Sequence, residues 1–275
     1  MARLSNWQQV LIECKSNVQS HISPFLKMFS QPQPDLGLGA GGDRINQVDL
    51  AAENAIIDTL REHAISFTLV SEESGIKEYG ESSVECYVTV DPVDGTTNMT
   101  RGIPFYATSI AVSPRPTLDT VHTALVADLF HGTTYFAQRG KGAYRNNEKM
   151  TSSKLSSLEE AVIGLDVNTL KFQELIPRLT GLLQNTKHIR HLGANALELC
   201  YVADGTTDAF IDIRGKLRTT DMAAASLIIR EAGARITTPE GKPLKAKLDP
   251  AQKVSFVAAA NQKIHKKVLA SLRKV

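Results

Sequence analysis

Cys86-Tyr87-Val88-Thr89-Val90-Asp91-Pro92-Val93-Asp94-Gly95-Thr96-Thr97-Asn98 is the stretch on which the reading of this chain turns. It opens with apolar, aromatic and β-branched residues, the composition of a buried strand. Asp91 ends that run and precedes proline, which holds it extended and in line with the strand. Pro92 stiffens the turn that follows, Asp94 comes three residues on, and Gly95 frees the backbone. The two carboxylates are expected to converge at a sheet edge with the Val93 carbonyl between them. Such an oxygen-rich arrangement suits a hard cation such as Mg2+. Gly95-Thr96-Thr97 would then open a short helix whose free N–H groups and hydroxyls can hold a phosphate. Taken alone, Asp-Gly is also an ordinary turn signal.

Two further segments carry acids in similar positions. Val70-Ser71-Glu72-Glu73-Ser74-Gly75 is a second acidic turn at a strand end, upstream of Asp91. Thr219-Thr220-Asp221-Met222-Ala223-Ala224-Ala225 puts an aspartate at the start of a small-residue helix. Singly, Glu72 reads as a solvated turn and Asp221 as an N-cap. Three such sites in one chain are harder to set aside together than singly.

Outward from these segments, residues 4–29 place apolar side chains at helical spacing, with a break expected at Ser23-Pro24. Residues 31–46 combine proline with a glycine cluster and read as an exposed, mobile loop. A helix fits Val48–His63. Strands follow at Phe67–Val70, Cys86–Val90, Tyr106–Val112, Val121–Phe130 and Thr134–Gln138. From about residue 157 the pattern changes to short strands (Val162–Asp166, Ala209–Ile213, Ala234–Thr237, Ser255–Ala258) alternating with helices. Those helices fall at Leu170–Leu183, Asn195–Ala203, Asp221–Ala232 and Gln262–Lys274. The fold class is α+β / α/β, with an antiparallel-rich first sheet and a smaller second α/β sheet. Two packed subdomains are expected, residues 1–156 with Glu72 and the Asp91–Thr96 loop, and 157–275 with Asp221.

Composition narrows the function classes. The 275 residues suffice to bury a core without disulfide or metal staples. Lys+Arg at 31 against Asp+Glu at 29 leaves +2, no electrostatic reason to expect nucleic acid or an anionic membrane as partner. Cys14, Cys86 and Cys200 are far apart and form no CxxC pair, which argues against a disulfide framework and for a reducing compartment. The N-terminal residues show no continuous apolar run, and a cytoplasmic protein is expected. Gly37-x-Gly39-x-x-Gly42 matches a dinucleotide fingerprint in spacing, but Gln-Pro-Gln-Pro precedes it instead of a strand. His188 and His191 lack the partners of a metal site and read as exposed polar residues at a strand end. No GxSxG or GxxxxGK[ST] is present.

The Glu-Glu turn, the Asp-Pro-x-Asp-Gly-Thr-Thr-Asn loop and the late Thr-Asp-x-Ala-Ala helix together resemble the inositol monophosphatase / fructose-1,6-bisphosphatase superfamily. The resemblance runs from about Asp49 to Gly233 and includes Gly102-Ile103-Pro104-Phe105-Tyr106 and Arg190-His191-Leu192-Gly193. Asp212-Ile-Arg214-Gly-Lys216-Leu-Arg218 makes it most like the archaeal-type members that act on both inositol phosphates and fructose bisphosphate. Thr220 stands where Trp is usual, and Ala225 where Gly is usual.

The resemblance implies a layered αβαβα sandwich of the sugar-phosphatase type. It implies a Mg2+-dependent phosphomonoesterase with two or three ions per site, held by Glu72, Asp91, the Val93 carbonyl, Asp94 and Asp221. Glu72 and Asp91 would hold the ion next to the attacking water, and Asp91, Asp94 and Asp221 the ion facing the leaving group. Asp49 and Thr96 would orient that water, and the Gly95 and Thr96 amides would bind phosphate. Gly193, Ala194, Asn195 and Asp212 are the implied sugar or inositol contacts. Arg190, Arg214, Lys216 and Arg218 are candidates for a distal phosphate. A homodimer acting on a small sugar or inositol phosphate is the implied assembly. Fructose 1,6-bisphosphate, inositol 1-phosphate and 3′-phosphoadenosine 5′-phosphate all stay open as substrates. A haloacid-dehalogenase-type phosphatase fits less well, because its Asp-x-Asp-Gly-Thr spacing is one residue shorter. A non-catalytic binding protein on this fold would be favoured by Ala or Asn at a ligand position, and all four acids are present.

Overall fold

The computed structural model describes residues 7–27, 36–81 and 83–272. Helix α1 (Trp7–Ile22) buries Val10, Leu11, Cys14, Val18 and Ile22, one face at helical spacing. It breaks at Ser23, where a 3₁₀ turn covers Ser23–Lys27. Leu4 and residues 28–35 of the expected segments lie outside the described residues. Helix α2 (Gln47–Glu62) follows, and then strands β1 (Phe67–Ser71), β2 (Gly75–Tyr79) and β3 (Cys86–Asp94). A short helix α3 (Thr96–Thr100) leads to β4 (Ala107–Ser113), β5 (Thr123–Asp128), β6 (Thr134–Gln138), β7 (Gly142–Arg145) and β8 (Glu148–Lys149). These strands form an eight-stranded sheet in the order β2-β1-β3-β4-β5-β6-β7-β8, antiparallel except for β1 beside β3.

The second half comprises β9 (Val162–Leu165), α4 (Phe172–Gln184), β10 (His188–Arg190) and α5 (Asn195–Asp204), then β11 (Ala209–Arg218) and α6 (Thr219–Glu231). It closes with β12 (Arg235–Thr237), β13 (Lys253–Ala259) and α7 (Gln262–Ser271). Its five strands order as β10-β9-β11-β13-β12.

Strands β4 and β5 are buried at every residue, so the first sheet must be covered on both faces. On one face, Ile110, Val112 and Leu125 pack with Val10, Leu11, Ile56 and Leu60 of α1 and α2. On the other, Ala107, Ala111 and Ala124 pack with Ala223, Ala224 and Ala225 of α6, where small side chains let helix and sheet approach closely. The far side of α5 and α6 meets Phe210 and Phe256 of the second sheet in the same core. The outer face of that sheet packs Ile163, Ile211 and Val257 against Leu179 of α4 and Ile264 of α7. The layers therefore run helix pair, sheet, helix pair, sheet, helix pair, with one core shared by both halves of the chain.

Three sequence expectations change. Strand β3 does not end at Asp91 but runs on to Asp94, because its register against β4 shifts between Asp91 and Asp94 and spares Pro92 from donating to the ladder. Strands β2, β7 and β8 arise from polar, partly exposed segments with little apolar signal. Residues 37–46 of the supposed mobile loop are tied down, with the Ala40 and Gly41 amides donating to the Glu73 and Glu72 carbonyls. Among the described residues, no helix is long and apolar enough to cross a membrane.

Candidate active site

Strands β1 and β3 run parallel, with Ser71 opposite Val90, so the next residues, Glu72 and Asp91, leave the ladder side by side. Long strand β11 feeds directly into α6, which places Asp221 in the first helical turn. These three ends meet. Glu72, Asp91 and Asp221 are all buried and bring one carboxylate oxygen each within 4.8 Å of one another. Asp91 Oδ1 is enclosed with no hydrogen-bond partner. Burial, and then the Glu72, Asp94 and Asp221 charges, push the Asp91 carboxyl well above its ordinary range. Burial and the Asp221 charge do the same to Glu72. An uncompensated acidic group of this kind is chemically suited to a divalent cation with oxygen ligands.

Asp94 stands beside this trio but spends its carboxylate differently. Its oxygens accept the amides of Asn195 (3.0 Å) and Ala196 (2.7 Å), at the N-terminus of α5. Burial and the Asp221 charge nevertheless raise it to about 7 against those amides. Asp49, from the first turn of α2, accepts a hydrogen bond from Thr96 Oγ1 at 3.0 Å, and the same hydroxyl lies 2.8 Å from the Val93 carbonyl. Burial raises Asp49 to about 6, opposed by its bonds from Asn46 and Thr96. Gly95, at φ +87°, turns the chain from β3 into α3 in a conformation that only glycine adopts without strain. A Cβ there would meet Ala194 Cβ at 3.0 Å. Asn98 clamps the turn by donating to the Phe105 and Leu192 carbonyls at 2.8 and 2.7 Å.

The carboxylates, the Val93 carbonyl, Gly95, Thr96 and Asn98 border one cleft of about 1140 Å³. Gly193, Asn195 and Lys216 line it too, and Asn195 Oδ1 is buried without a partner. Of the expected substrate contacts, Arg190, Ala194 and Asp212 lie off the cleft lining, and Arg214 lines it with its guanidinium already engaged. Arg190 lies on the exposed β10 and turns its Nη1 to the Ile189 carbonyl, away from the cleft. Ala194 is buried in the central core. Asp212 is fully buried, both oxygens holding Arg214. Arg214 is spent in turn, its Nη2 2.6 Å from both Asp166 and Asp212 and its Nη1 on the Asn168 carbonyl. The Gly193 amide donates to Glu198 and the Asn195 amide to Asp94, while Asn195 Oδ1 is left without a partner.

Arg218 lies elsewhere than a distal phosphate would require. Its guanidinium contacts Glu72, Asp221 (3.2 Å) and Asp43 (2.6 Å) and so sits within the acidic cluster. Asp43, Arg44, Glu73, Asp166, Asn168, His191 and Lys253 also line the cleft and went unnoticed as site residues in the sequence. Asp166 had a usable signal, since it ends an apolar strand as Asp91 does. Glu73, half-buried beside Asp49 and Glu53, is raised by burial and then by those charges to about 8.

The family model described as the inositol monophosphatase family matches residues 8–275. The chain belongs to the inositol monophosphatase family. A relative from Methanothermobacter thermautotrophicus, a fructose-1,6-bisphosphatase/inositol-1-monophosphatase, is 34% identical over 274 residues, 97% of this chain and 96% of its own. A bifunctional NADP phosphatase/NAD kinase from Methanococcus maripaludis is 32% identical over 95% of this chain, which covers 48% of that longer protein. The crystal structure of an inositol monophosphatase–fructose 1,6-bisphosphatase superimposes with a TM-score of 0.83 at 28% identity, covering 97% of this chain and all of the other. Within this family the mixed sheet and the Asp91 loop on its third strand displace the haloacid-dehalogenase alternative.

Proposed function

We propose that the protein is a Mg2+-dependent phosphomonoesterase that hydrolyses fructose 1,6-bisphosphate and inositol 1-phosphate. The observation that carries this reading is the carboxylate trio Glu72, Asp91 and Asp221, with Asp91 Oδ1 buried and unpartnered, next to the Asp49–Thr96 pair. Glu72, Asp91, the Val93 carbonyl, Asp94 and Asp221 would hold two or three ions, and Asp94 keeps lone pairs beyond its two amide bonds. When bound, Mg2+ supplies a lowered pKa for water and charge neutralisation at the leaving oxygen. Thr96, donating to Asp49, retains acceptor capacity for a hydrogen of the attacking water and so fixes its approach to phosphorus. The Gly95 and Thr96 amides would receive the phosphate oxygens. Glu72 and the other acids stay ionised in this reading because the ions offset their mutual repulsion.

The Asn195 side chain and Lys216 would face the non-reacting part of the substrate, with Lys216 a cation available for a distal phosphate. The cleft exceeds the 300–1000 Å³ typical of small-ligand sites. That size, and the NADP phosphatase among the relatives, favour a second reading in which a 2′-phosphorylated dinucleotide is the substrate. A cytoplasmic homodimer serving gluconeogenic sugar phosphates is part of the main reading. The experiment is phosphate release from fructose 1,6-bisphosphate, inositol 1-phosphate, NADP and 3′-phosphoadenosine 5′-phosphate, each with Mg2+ and with chelator. Release from the first two that chelator abolishes and Mg2+ restores is the expected result. Full activity in chelator, or a phospho-aspartate trapped on Asp91, would defeat the metal mechanism.

A further inference from the structure

Arg218 stands where two roles collide. It caps α6, with Asp221 as the third helical residue reaching back to its backbone amide. Its guanidinium spreads over three acids from three parts of the fold, namely Glu72 after β1, Asp221 in α6 and Asp43 in the glycine-rich loop. The loop is built to admit it, because a Cβ on Gly41 would lie 2.9 Å from Arg218 Nη1 and 3.1 Å from Glu72 Cβ. Two of the three acids it touches, Glu72 and Asp221, belong to the carboxylate trio itself. Arg218 is also the cation whose charge opposes the upward shift at each of Asp49, Glu72, Glu73 and Asp91.

We infer that Arg218 is a tethered cation that competes with the divalent ion for Glu72 and Asp221, and thereby sets how tightly the site takes its metal. The inference rests on the reading of Glu72, Asp91 and Asp221 as ligands. A guanidinium in direct contact with Glu72 Oε2 and Asp221 Oδ1 would compete with an ion for their lone pairs, and two cations so close would repel. An ion that enters must therefore turn the guanidinium outward. Asp43, exposed at the mouth and already 2.6 Å from Nη1, is the partner that can keep it there. Arginine suits this role better than lysine, because its planar fork meets several carboxylates at once. Without it the cluster would bind metal more tightly but would carry a larger uncompensated charge.

The test is Mg2+ binding by titration calorimetry on the full chain stripped with chelator, for wild type, Arg218→Lys and Arg218→Met, with melting followed in chelator and in Mg2+. Tightening of at least about tenfold in Arg218→Met (about 1.4 kcal/mol) is expected, with Arg218→Lys between it and wild type. Arg218→Met should melt below wild type in chelator, and saturating Mg2+ should narrow that gap. Equal or weaker Mg2+ binding by Arg218→Met would overturn the inference and make Arg218 a support for the ligands. If Arg218→Met fails to fold in chelator, Arg218→Lys decides by the same comparison: tighter binding than wild type supports competition, and equal or weaker binding overturns it. Wild type that binds no Mg2+ at all would bring down the metal reading and this inference with it. Unchanged affinities in a wild type that does bind would remove the inference alone.

Discussion

Replacing Asp91 by asparagine should stabilise the protein in chelator while destroying its phosphatase activity. Asparagine has the shape of aspartate, so the buried site keeps its packing and loses only a charge. One carboxylate oxygen from each of Glu72, Asp91 and Asp221 lies within 4.8 Å of the others. At that separation and an effective dielectric near 20, two full charges repel by about 3.5 kcal/mol. Shorter separations raise that figure, while protonation and nearby cations lower it. Asp91 and Glu72 are both shifted upward, so protons already relieve part of the repulsion, and Arg218 offsets more. The expected net gain is about 1–3 kcal/mol, which at about 2–4 °C per kcal/mol raises the chelator melting point by roughly 2–12 °C. Mg2+ should raise the melting point of wild type but barely that of the variant, since ligand binding stabilises only a chain that binds. Phosphate release in Mg2+ should fall by more than roughly 100-fold, the upper cost of losing a group that merely supports a metal ligand. Circular dichroism melts in chelator and in Mg2+, with a phosphate-release assay on the same samples, read all of this. A variant that melts below wild type in chelator and keeps its activity would refute the reasoning.

Asp94 prefers its neutral form in the folded chain, so its contribution to stability is complete below its ordinary 3.8 and lost as pH rises to about 7. The melting point in chelator should therefore fall across that window more steeply in wild type than in Asp94→Asn, and equal slopes would contradict the assigned shift. Asn98→Ala strands the Phe105 and Leu192 carbonyls and should cost about 2–4 kcal/mol in denaturant unfolding; a cost under 0.5 kcal/mol would show that neither carbonyl needs it. Gly95→Ala puts a side chain at φ +87° and 3.0 Å from Ala194 Cβ, which should cost about 1–3 kcal/mol and raise KM for every substrate, as phosphate-release kinetics will show. Lys216→Ala should lower kcat/KM for fructose 1,6-bisphosphate by roughly 10-fold or more while sparing inositol 1-phosphate, a charge-assisted contact being worth about 1.5–3 kcal/mol; equal losses would remove Lys216 from phosphate recognition.

Much of the site was legible in the sequence where the governing physics is local. The β-branched run before Asp91, the proline after it and the glycine at position 95 each constrain a few neighbouring dihedrals, and the strand, turn and helix follow from them. The aspartate at the head of the small-residue helix was readable for the same reason. The mixed fold was legible too, because apolar periodicity changes near residue 157 from strands in succession to strands alternating with helices. Polar, weakly periodic strands such as β2 and β8 were not, since their pairing partners and not their own composition hold them.

Charged side chains mark the limit of local reading. Arg190, Arg214 and Arg218 look alike in sequence, three cations upstream of Asp221, yet they end in three different places. One faces solvent, one is clamped by Asp166 and Asp212, and one enters the acidic cluster. A guanidinium goes to whichever carboxylates the fold brings within reach, and Glu72 reaches Arg218 from 146 positions away. The same holds for the glycine-rich loop, which reads as mobile until the Glu72 and Glu73 carbonyls are there to bind its amides. The sequence alone determined which residue types and which turns were available for metal and phosphate chemistry, through short-range dihedral preference and apolar patterning. Only the tertiary structure decided which acids stand together and which cation answers them, because the parallel register of β1 on β3 and the entry of β11 into α6 set those distances.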